Sequence, residues 1–347
     1  MELSIKTPRR AIAGDWIATS LLLIGFAAHP AAACGESVAS EPIVITHDGQ
    51  HVRNLIITAS NGPGILIDGH ADVVIEDVVI LHGAGPGIEV TGARNTTIRN
   101  ADILFTSAPV SGPNPSADAN NIDCFDSPGL EVTNVRLTRG STGIYLHRCP
   151  DSRLRQIEGH DQRGPFPRGQ LVQWNASDRG VLSDFSTENS IEHSWTEDNV
   201  NVYRSRNVVI RRGLVDGNNS PSGDGILIDE ESGHVLVERV DAVRQGNGCF
   251  GVFGGGGFDV TFRDTRCSDT LCQLPRGNPL SRSLGWAIDP ESIAGNLNII
   301  RGAYQRLCNP ENRLWDEKML RQHSLAEAAF TPRAPQRVTL CRYAYPR

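Results

Sequence analysis

Two carboxylates stand at matching places in successive segments of this chain, Asp198 in Asp198-Asn199-Val200 and Asp224 in Asp224-Gly225-Ile226. If the segments are strands on neighbouring turns, the two acids lie about 5 Å apart. Such a pair has three chemistries. One acid protonates a leaving oxygen while the other attacks or activates water, as in glycoside hydrolysis. The hard oxygens hold Ca2+. Or the acids cap turns by accepting backbone N–H groups. A second set lies upstream. Tyr145, His147 and His160 are residue types that move protons, and Arg148, Arg163 and Arg168 can clamp a carboxylate. A base that removes the proton next to a carboxylate, with a cation to neutralise that carboxylate, is the chemistry of β-elimination or epimerisation of a uronate. The plain structural alternative is that these arginines pair with Asp161 or Glu158 at the surface.

Positioning either set falls to a repeat. Short alternating segments recur, each entered through a turn residue: Ile65-Leu66-Ile67-Asp68, Ile88-Glu89-Val90, Ile122-Asp123-Cys124, Ile144-Tyr145-Leu146-His147, Val172-Gln173-Trp174-Asn175, Val200-Asn201-Val202-Tyr203, Ile226-Leu227-Ile228-Asp229 and Phe250-Gly251-Val252-Phe253. Ile65 and Ile88 are 23 residues apart, Ile122 and Ile144 are 22, and Val200 and Ile226 are 26. Each unit carries further short apolar strands, such as Val73-Val74-Ile75 followed by Val78-Val79-Ile80. Three short strands cannot bury their apolar sides alone, but stacked coils bury one continuous column. The expected architecture is therefore all-β, a right-handed parallel β-helix of about ten coils over residues 34–304, with a helical and loop cap over 305–347.

Alternate side chains of a strand point to opposite faces. With Ile and Val inward, one outward column reads Leu66, Glu89, Asp123, Tyr145, Gln173, Asn201, Leu227, Gly251. The other reads Asp68, Thr91, Phe125, His147, Asn175, Tyr203, Asp229, Phe253. The middle rungs then present Asp123, Tyr145, His147, Gln173, Asn175, Asn201 and Tyr203 as one patch. Rings to stack on and amides to bond hydroxyls suit a sugar, and a merely solvated sheet face is the alternative. The segment from Glu158 to Arg168 joins the Tyr145 rung to the Gln173 rung, so His160, Arg163 and Arg168 are candidates to reach the patch.

The coil pattern over residues 42–304 resembles the pectin-lyase-like superfamily of right-handed parallel β-helices. The segments from Arg163 to Gln170 and from Glu197 to Tyr203 are similar to those of bacterial secreted β-helix-repeat proteins. The resemblance implies the fold and work on an extended polysaccharide. Polygalacturonases carry Asn-Thr-Asp, Asp-Asp and Gly-His-Gly on consecutive coils. Asn121-Ile122-Asp123, Glu197-Asp198 and Gly223-Asp224-Gly225 resemble these loosely. The first sits several coils early, and the third has no His. The Asp-Pro-His-Asp signature of alginate epimerases is absent.

Residues 106–120 and 268–284 read as long loops, the usual rims of sites on a rigid scaffold. Residues 312–330 read as the one good helix, covering an end or side of the stack. Residues 1–33 combine Lys6, Arg9 and Arg10, an apolar run from Trp16 to Ala28, and small residues at 31–33, which is a secretory signal pattern. The run is too short for a comfortable membrane span, and Cys34 leaves a lipid anchor open. Eight cysteines suit an oxidising compartment, with Cys267–Cys272 and Cys308–Cys341 as candidate pairs. The net charge of −7 argues against nucleic acid. The expectation is a secreted or periplasmic monomer that modifies a polysaccharide, first as a lyase or C5-epimerase of a uronic-acid glycan. A glycoside hydrolase using Asp198 and Asp224 is the alternative, and a non-catalytic carbohydrate-binding or surface-structural β-helix the third reading. Tyr145, His147, His160, Arg168, Asp198 and Asp224 are the catalytic candidates. Asp123, Arg163, Gln173, Asn175, Asn201 and Tyr203 are the binding candidates. No cofactor is implied apart from Ca2+ at the carboxylate pair.

Overall fold

A computed structural model describes residues 37–255, 257–274, 284–289, 296–314 and 320–340. The expected signal segment, Cys34 and Cys341 lie outside these residues. Among the described residues, parallel strands form two sheets. The front sheet stacks ten short strands in strict chain order, from Ile43–Val44 to Leu284–Ile288. The back sheet stacks longer strands such as Val74–His82, Thr97–Phe105 and Arg153–His160, also in chain order until its last rungs. Each front strand is followed by a back strand, and the chain climbs one rung per pair.

Two short strands were expected per back rung, and they prove to be one strand bent in the middle. The bend is a residue in the left-handed region: Asn54, Asp77, Asn100, Asn134, Gln156, Asp184 and Arg212 on successive rungs, all with φ between 52° and 57°. Asn and Asp tolerate this conformation because their short polar side chains bond locally. Here they also bond the rung below. Asn100 Nδ2 donates to Asp77 Oδ1 at 3.1 Å, and Asn134 Nδ2 to Asn100 Oδ1 at 2.8 Å.

The interior is one apolar column. Ile65, Ile88, Ile122, Ile144, Val172, Val200 and Ile226 face Ile57, Ile80, Ile103, Leu137 and their neighbours, all of them fully buried. Phe185 fits because Gly213 lies beside it on the next rung, where an added Cβ would come within 2.1 Å of the ring. Where the chain turns from front to back, buried serines repeat along the stack. Ser177 Oγ accepts from Cys149 N, Ser205 Oγ from Ser177 N, and Ser232 Oγ from Ser205 N, at 2.8, 2.8 and 3.1 Å. These hydroxyls satisfy N–H groups that the turn removes from the sheet ladder.

The cysteine pairing differs from expectation. Cys124 joins Cys149, Cys249 joins Cys267, and Cys272 joins Cys308. Cys267 points into the core of a back strand toward Cys249 on the front sheet, so its partner comes from the coil geometry and not from the nearby Cys272.

The helix expected over 312–330 is also corrected. Pro310–Arg313 is a single 3₁₀ turn, and Leu320–Glu327 is a strand that pairs in parallel with Leu297–Gln305. The local preference for helix loses to the open edge of the back sheet, whose unpaired N–H and C=O groups offer a full ladder of hydrogen bonds. Beyond it the chain runs back across the back sheet as an extended strap. Arg333 N donates to Asp241 Oδ2 at 2.7 Å, Ser186 Oγ to Gln336 O at 3.0 Å, Val338 N to Glu158 Oε2 at 2.8 Å, and Asn134 Nδ2 to Thr339 O at 3.0 Å. No helix among the described residues is long and apolar enough to cross a membrane.

Candidate functional site

The front-sheet columns fall in the expected register. Asp123, Tyr145, Gln173, Asn201 and Leu227 are successive Cα partners, as are Phe125, His147, Asn175, Tyr203 and Asp229. One face of this sheet is therefore readable rung by rung. The loops that enter the sheet from the back strands build a wall along one side of it. Residues 106–121, 161–171 and 189–199 stack on one another. Asn114 N donates to Arg163 O at 3.2 Å, Ser111 Oγ to Glu192 O at 3.0 Å, and Trp195 N to Gln162 O at 2.9 Å.

Between the wall and the sheet lies a groove of about 380 Å³. Its sheet side is Gln173, Asn175, Asn201, Tyr203, Leu227 and Asp229. Its loop side is Phe166, Pro167, Arg168 and Gln170, with Glu197 and Asp198 where the sheet begins. Of the expected residues, the groove thus brings together Arg168, Gln173, Asn175, Asp198, Asn201 and Tyr203.

Asp198 is almost fully buried. Asn201 Nδ2 donates to its Oδ2 at 2.7 Å, and Asp224 N to its Oδ1 at 2.8 Å. Burial, and next the nearby Glu197 carboxylate, push its pKa well above the usual carboxylate range. Glu197 is held by hydroxyls instead, with Ser222 Oγ at 2.8 Å and Ser220 Oγ at 3.1 Å. Asp229 is raised as well, chiefly by burial. Asp198 and Glu197 thus sit in unlike surroundings, the first bonded by an amide and a backbone N–H and the second by two hydroxyls.

Asp224 neighbours Asp198, as its spacing implied, but it does not line the groove. It is fully buried, its Oδ1 accepts from Asn247 Nδ2 at 3.3 Å, and its Oδ2 has no hydrogen-bond partner. The carboxylate lies over Gly248 and Gly251, where an added Cβ would come within 2.3 and 1.9 Å of its oxygens. Burial and the charge of Asp198 raise its pKa.

Arg168 reaches the patch. Its guanidinium carbon lies 3.8 Å from the centre of the Tyr145 ring, and its Nη1 donates to Gln173 Oε1 at 3.1 Å. It thereby roofs Tyr145, whose hydroxyl accepts from Asn175 Nδ2 at 3.0 Å. Asp123, one rung further, is buried, bonded by Asn120 Nδ2 at 2.7 Å, and pushed up to about 7 by burial. His147 sits beside Phe125 and Tyr145, outside the groove lining, with its pKa lowered by burial and then by Arg148.

Two expected residues are elsewhere. His160 is on the back sheet, bonded to Glu158 Oε1 at 2.8 Å beside the strap. It ends a back strand, Arg153–His160, before the loop begins, so its side chain belongs to the other face of the coil. Arg163 is buried beneath the 106–120 loop, and its Nε and Nη1 have no hydrogen-bond partner. That loop, read as a rim or a plain insertion, is part of the wall, and none of its residues lines the groove. Part of the second expected loop, residues 275–283, lies outside the described residues. Glu197, Asp229, Phe166 and Gln170 were not among the expected site residues. Asp229 was visible in the second outward column, and Glu197 as a neighbour of Asp198. Nothing in the loop sequence marked Phe166. Among the described residues no three His, Cys, Asp or Glu side chains converge as metal ligands.

Residues 42–164 match the family described as right handed beta helix region. The chain is a right-handed parallel β-helix. No curated protein sequence matches it. Among solved structures, it is similar to tailspike protein 2 of bacteriophage CBA120, in its enzymatically active domain. The identity is 12% and the TM-score 0.47, over 76% of this chain and 42% of that one. It is similar also to a GH136 lacto-N-biosidase from Eubacterium ramulus, with 10% identity, a TM-score of 0.49, and 83% and 62% of the two chains covered. A third is the A-module of a mannuronan C-5 epimerase from Azotobacter vinelandii, with 8% identity, a TM-score of 0.45, and 84% and 89% covered. The chain spans about two fifths of the tailspike chain and less than two thirds of the biosidase chain.

Proposed function

We propose that the front-sheet groove binds a polysaccharide and that Asp198 serves as the proton donor in cleavage of a glycosidic bond. The observation that carries this is a buried carboxyl, its pKa raised, lining a groove with two further carboxylates. Glycoside hydrolysis asks for one carboxylic acid that stays protonated and a second carboxylate that attacks or activates water. Glu197 and Asp229 are the groove carboxylates available for the second role. Gln173, Asn175 and Asn201 supply amides for sugar hydroxyls, and Tyr203 supplies a ring face.

Charge favours a neutral glycan. With Asp198 held as the protonated acid, the groove still carries Glu197 and Asp229 against Arg168 alone, and Arg168 is already engaged with Gln173 and Tyr145. A uronate chain would bring its own carboxylates to a surface with more acids than bases. The elimination reading retains one specific support, the placing of Arg168 over Tyr145 next to Asp123, a cation and two proton-moving groups on adjacent rungs. His160 and Arg163, which that reading also called on, are not at the groove. The disulfides suit an oxidising compartment, and export belongs to the same proposal.

The test is a panel of neutral polysaccharides together with pectin, alginate and glucuronan, read for new reducing ends and for the ultraviolet absorbance of an unsaturated uronate. Reducing ends without that absorbance, lost by about 10²- to 10⁴-fold in Asp198→Asn, support hydrolysis. Absorbance that vanishes in Arg168→Ala and survives Asp198→Asn overturns it in favour of elimination. A glycan retained on a gel with no turnover overturns the enzyme and leaves a binding scaffold.

A further inference from the structure

We infer that Phe166 is a sugar-stacking platform that defines a binding subsite beside the acid, for a pyranose unit with an apolar C–H face. The inference rests on the glycan reading above and specifies one contact within it. Phe166 is 71% exposed and is the one aromatic among the exposed large hydrophobic side chains of the described residues. A single exposed apolar residue on a mobile loop needs no explanation. This ring is not in that situation, because it lines the groove and its backbone is pinned on every side.

The turn from Gly164 to Gln170 is closed by Arg168 N donating to Pro165 O at 2.7 Å and by Gln170 Nε2 donating to Pro167 O at 3.0 Å. Gly164 N donates to Ser141 O at 3.1 Å, which ties the turn to the rung below. On its other side the turn presses against the segment that carries the acids. An added Cβ at Gly169 would lie 2.6 Å from Glu197 N, and one at Gly164 would lie 2.9 Å from Trp195 O. Both glycines have positive φ, 120° and 60°, so no ordinary side chain is accommodated at either place. Prolines on both sides of Phe166 remove backbone freedom as well.

The consequence is that the Phe166 backbone is held at a set position relative to the segment carrying Glu197 and Asp198, while its ring remains in water. Its apolar face is buried only when something fills the groove. Sugars stack their C–H faces on aromatic rings, and a ring on a fixed backbone has only two side-chain torsions left to order in doing so. Tyr203 lies on the sheet side of the same groove, and Phe166 on the loop side. Asp198 lines the same groove.

The experiment uses the full chain and a neutral polysaccharide that the wild type cleaves. Phe166→Ala should raise KM for the polymer roughly tenfold, the size expected for losing burial of one phenyl ring, with kcat within about twofold. Phe166→Trp should restore KM. The thermal midpoint of Phe166→Ala should match the wild type, because the ring is exposed in the free protein. Binding of the same polymer to Asp198→Asn, with and without Phe166→Ala, gives the contact without turnover. Unchanged KM and unchanged binding in Phe166→Ala, while Asp198→Asn still abolishes cleavage, would overturn the platform and leave the hydrolase standing. A fall in kcat that Phe166→Trp does not restore would also overturn it, since that outcome marks a disturbed acid segment. Cleavage that persists in Asp198→Asn would instead overturn the function on which the platform rests.

Discussion

Replacing Asp123 with Asn should stabilise the protein above neutral pH and do little in acid. Asp123 is buried, and burial lifts its pKa from the usual 3.8 to about 7. Asn120 and Arg168 pull in the opposite direction and are outweighed. The unfolded chain releases this proton near pH 4 and the folded chain near pH 7. Between those values the folded state binds more protons, so stability falls as pH rises through the window. The shift of about three pKa units corresponds to about 4 kcal/mol at pH 8, using 1.36 kcal/mol per unit. Asn cannot ionise, and its carbonyl oxygen still accepts from Asn120 Nδ2. Urea unfolding of wild type and variant from pH 4 to pH 8.5 isolates the effect, because other titrating groups cancel in the difference. The difference should be near zero at pH 4, rise with pH, and level off above about pH 7. A pH-independent difference would refute the claim that Asp123 is held as a carboxylic acid.

His82 should move the other way. Burial lowers its pKa to about 4 from 6.5, so stability is full above about pH 6.5 and is lost toward pH 4, by up to about 3 kcal/mol. Imidazole NMR should show a neutral ring at pH 5. Glu197→Gln should lower the pKa of Asp198, because the Glu197 charge helps raise it. Carboxyl 13C NMR should then show Asp198 titrating at lower pH than in the wild type, a readout that does not require turnover. Arg333→Ala should destabilise by about 1–3 kcal/mol in urea unfolding, since Asp241 is fully buried and would keep Arg266 as its remaining charged partner. Changing Cys124 and Cys149 together to Ala should cost about 3.5 kcal/mol, the loop-entropy value for residues 25 apart in sequence, read as a fall in urea midpoint.

The coil and its outward columns were legible in the residues themselves. Side-chain parity along a strand is a local property, and a repeat of 22 to 34 residues carries that parity from rung to rung. Tyr145 against Gln173, and His147 against Asn175, therefore follow from alternation alone. The adjacency of Asp198 and Asp224 follows in the same way, from their equal offset before Val200 and Ile226. The tertiary structure decided what alternation does not encode. It placed Asp224 below the groove and Asp198 on its lining, because Gly248 and Gly251 leave room for one carboxylate beneath the surface. It sent His160 to the back sheet and Arg163 under a neighbouring loop while carrying Arg168 over Tyr145, although all three lie within nine residues. It chose Cys249 for Cys267, and turned the helix-like stretch at Leu320–Glu327 into an edge strand. Each of these outcomes depends on which groups from distant parts of the chain meet in space. Loop paths, protonation and edge pairing are set by such neighbours, whereas strand parity is set by the backbone of the strand itself.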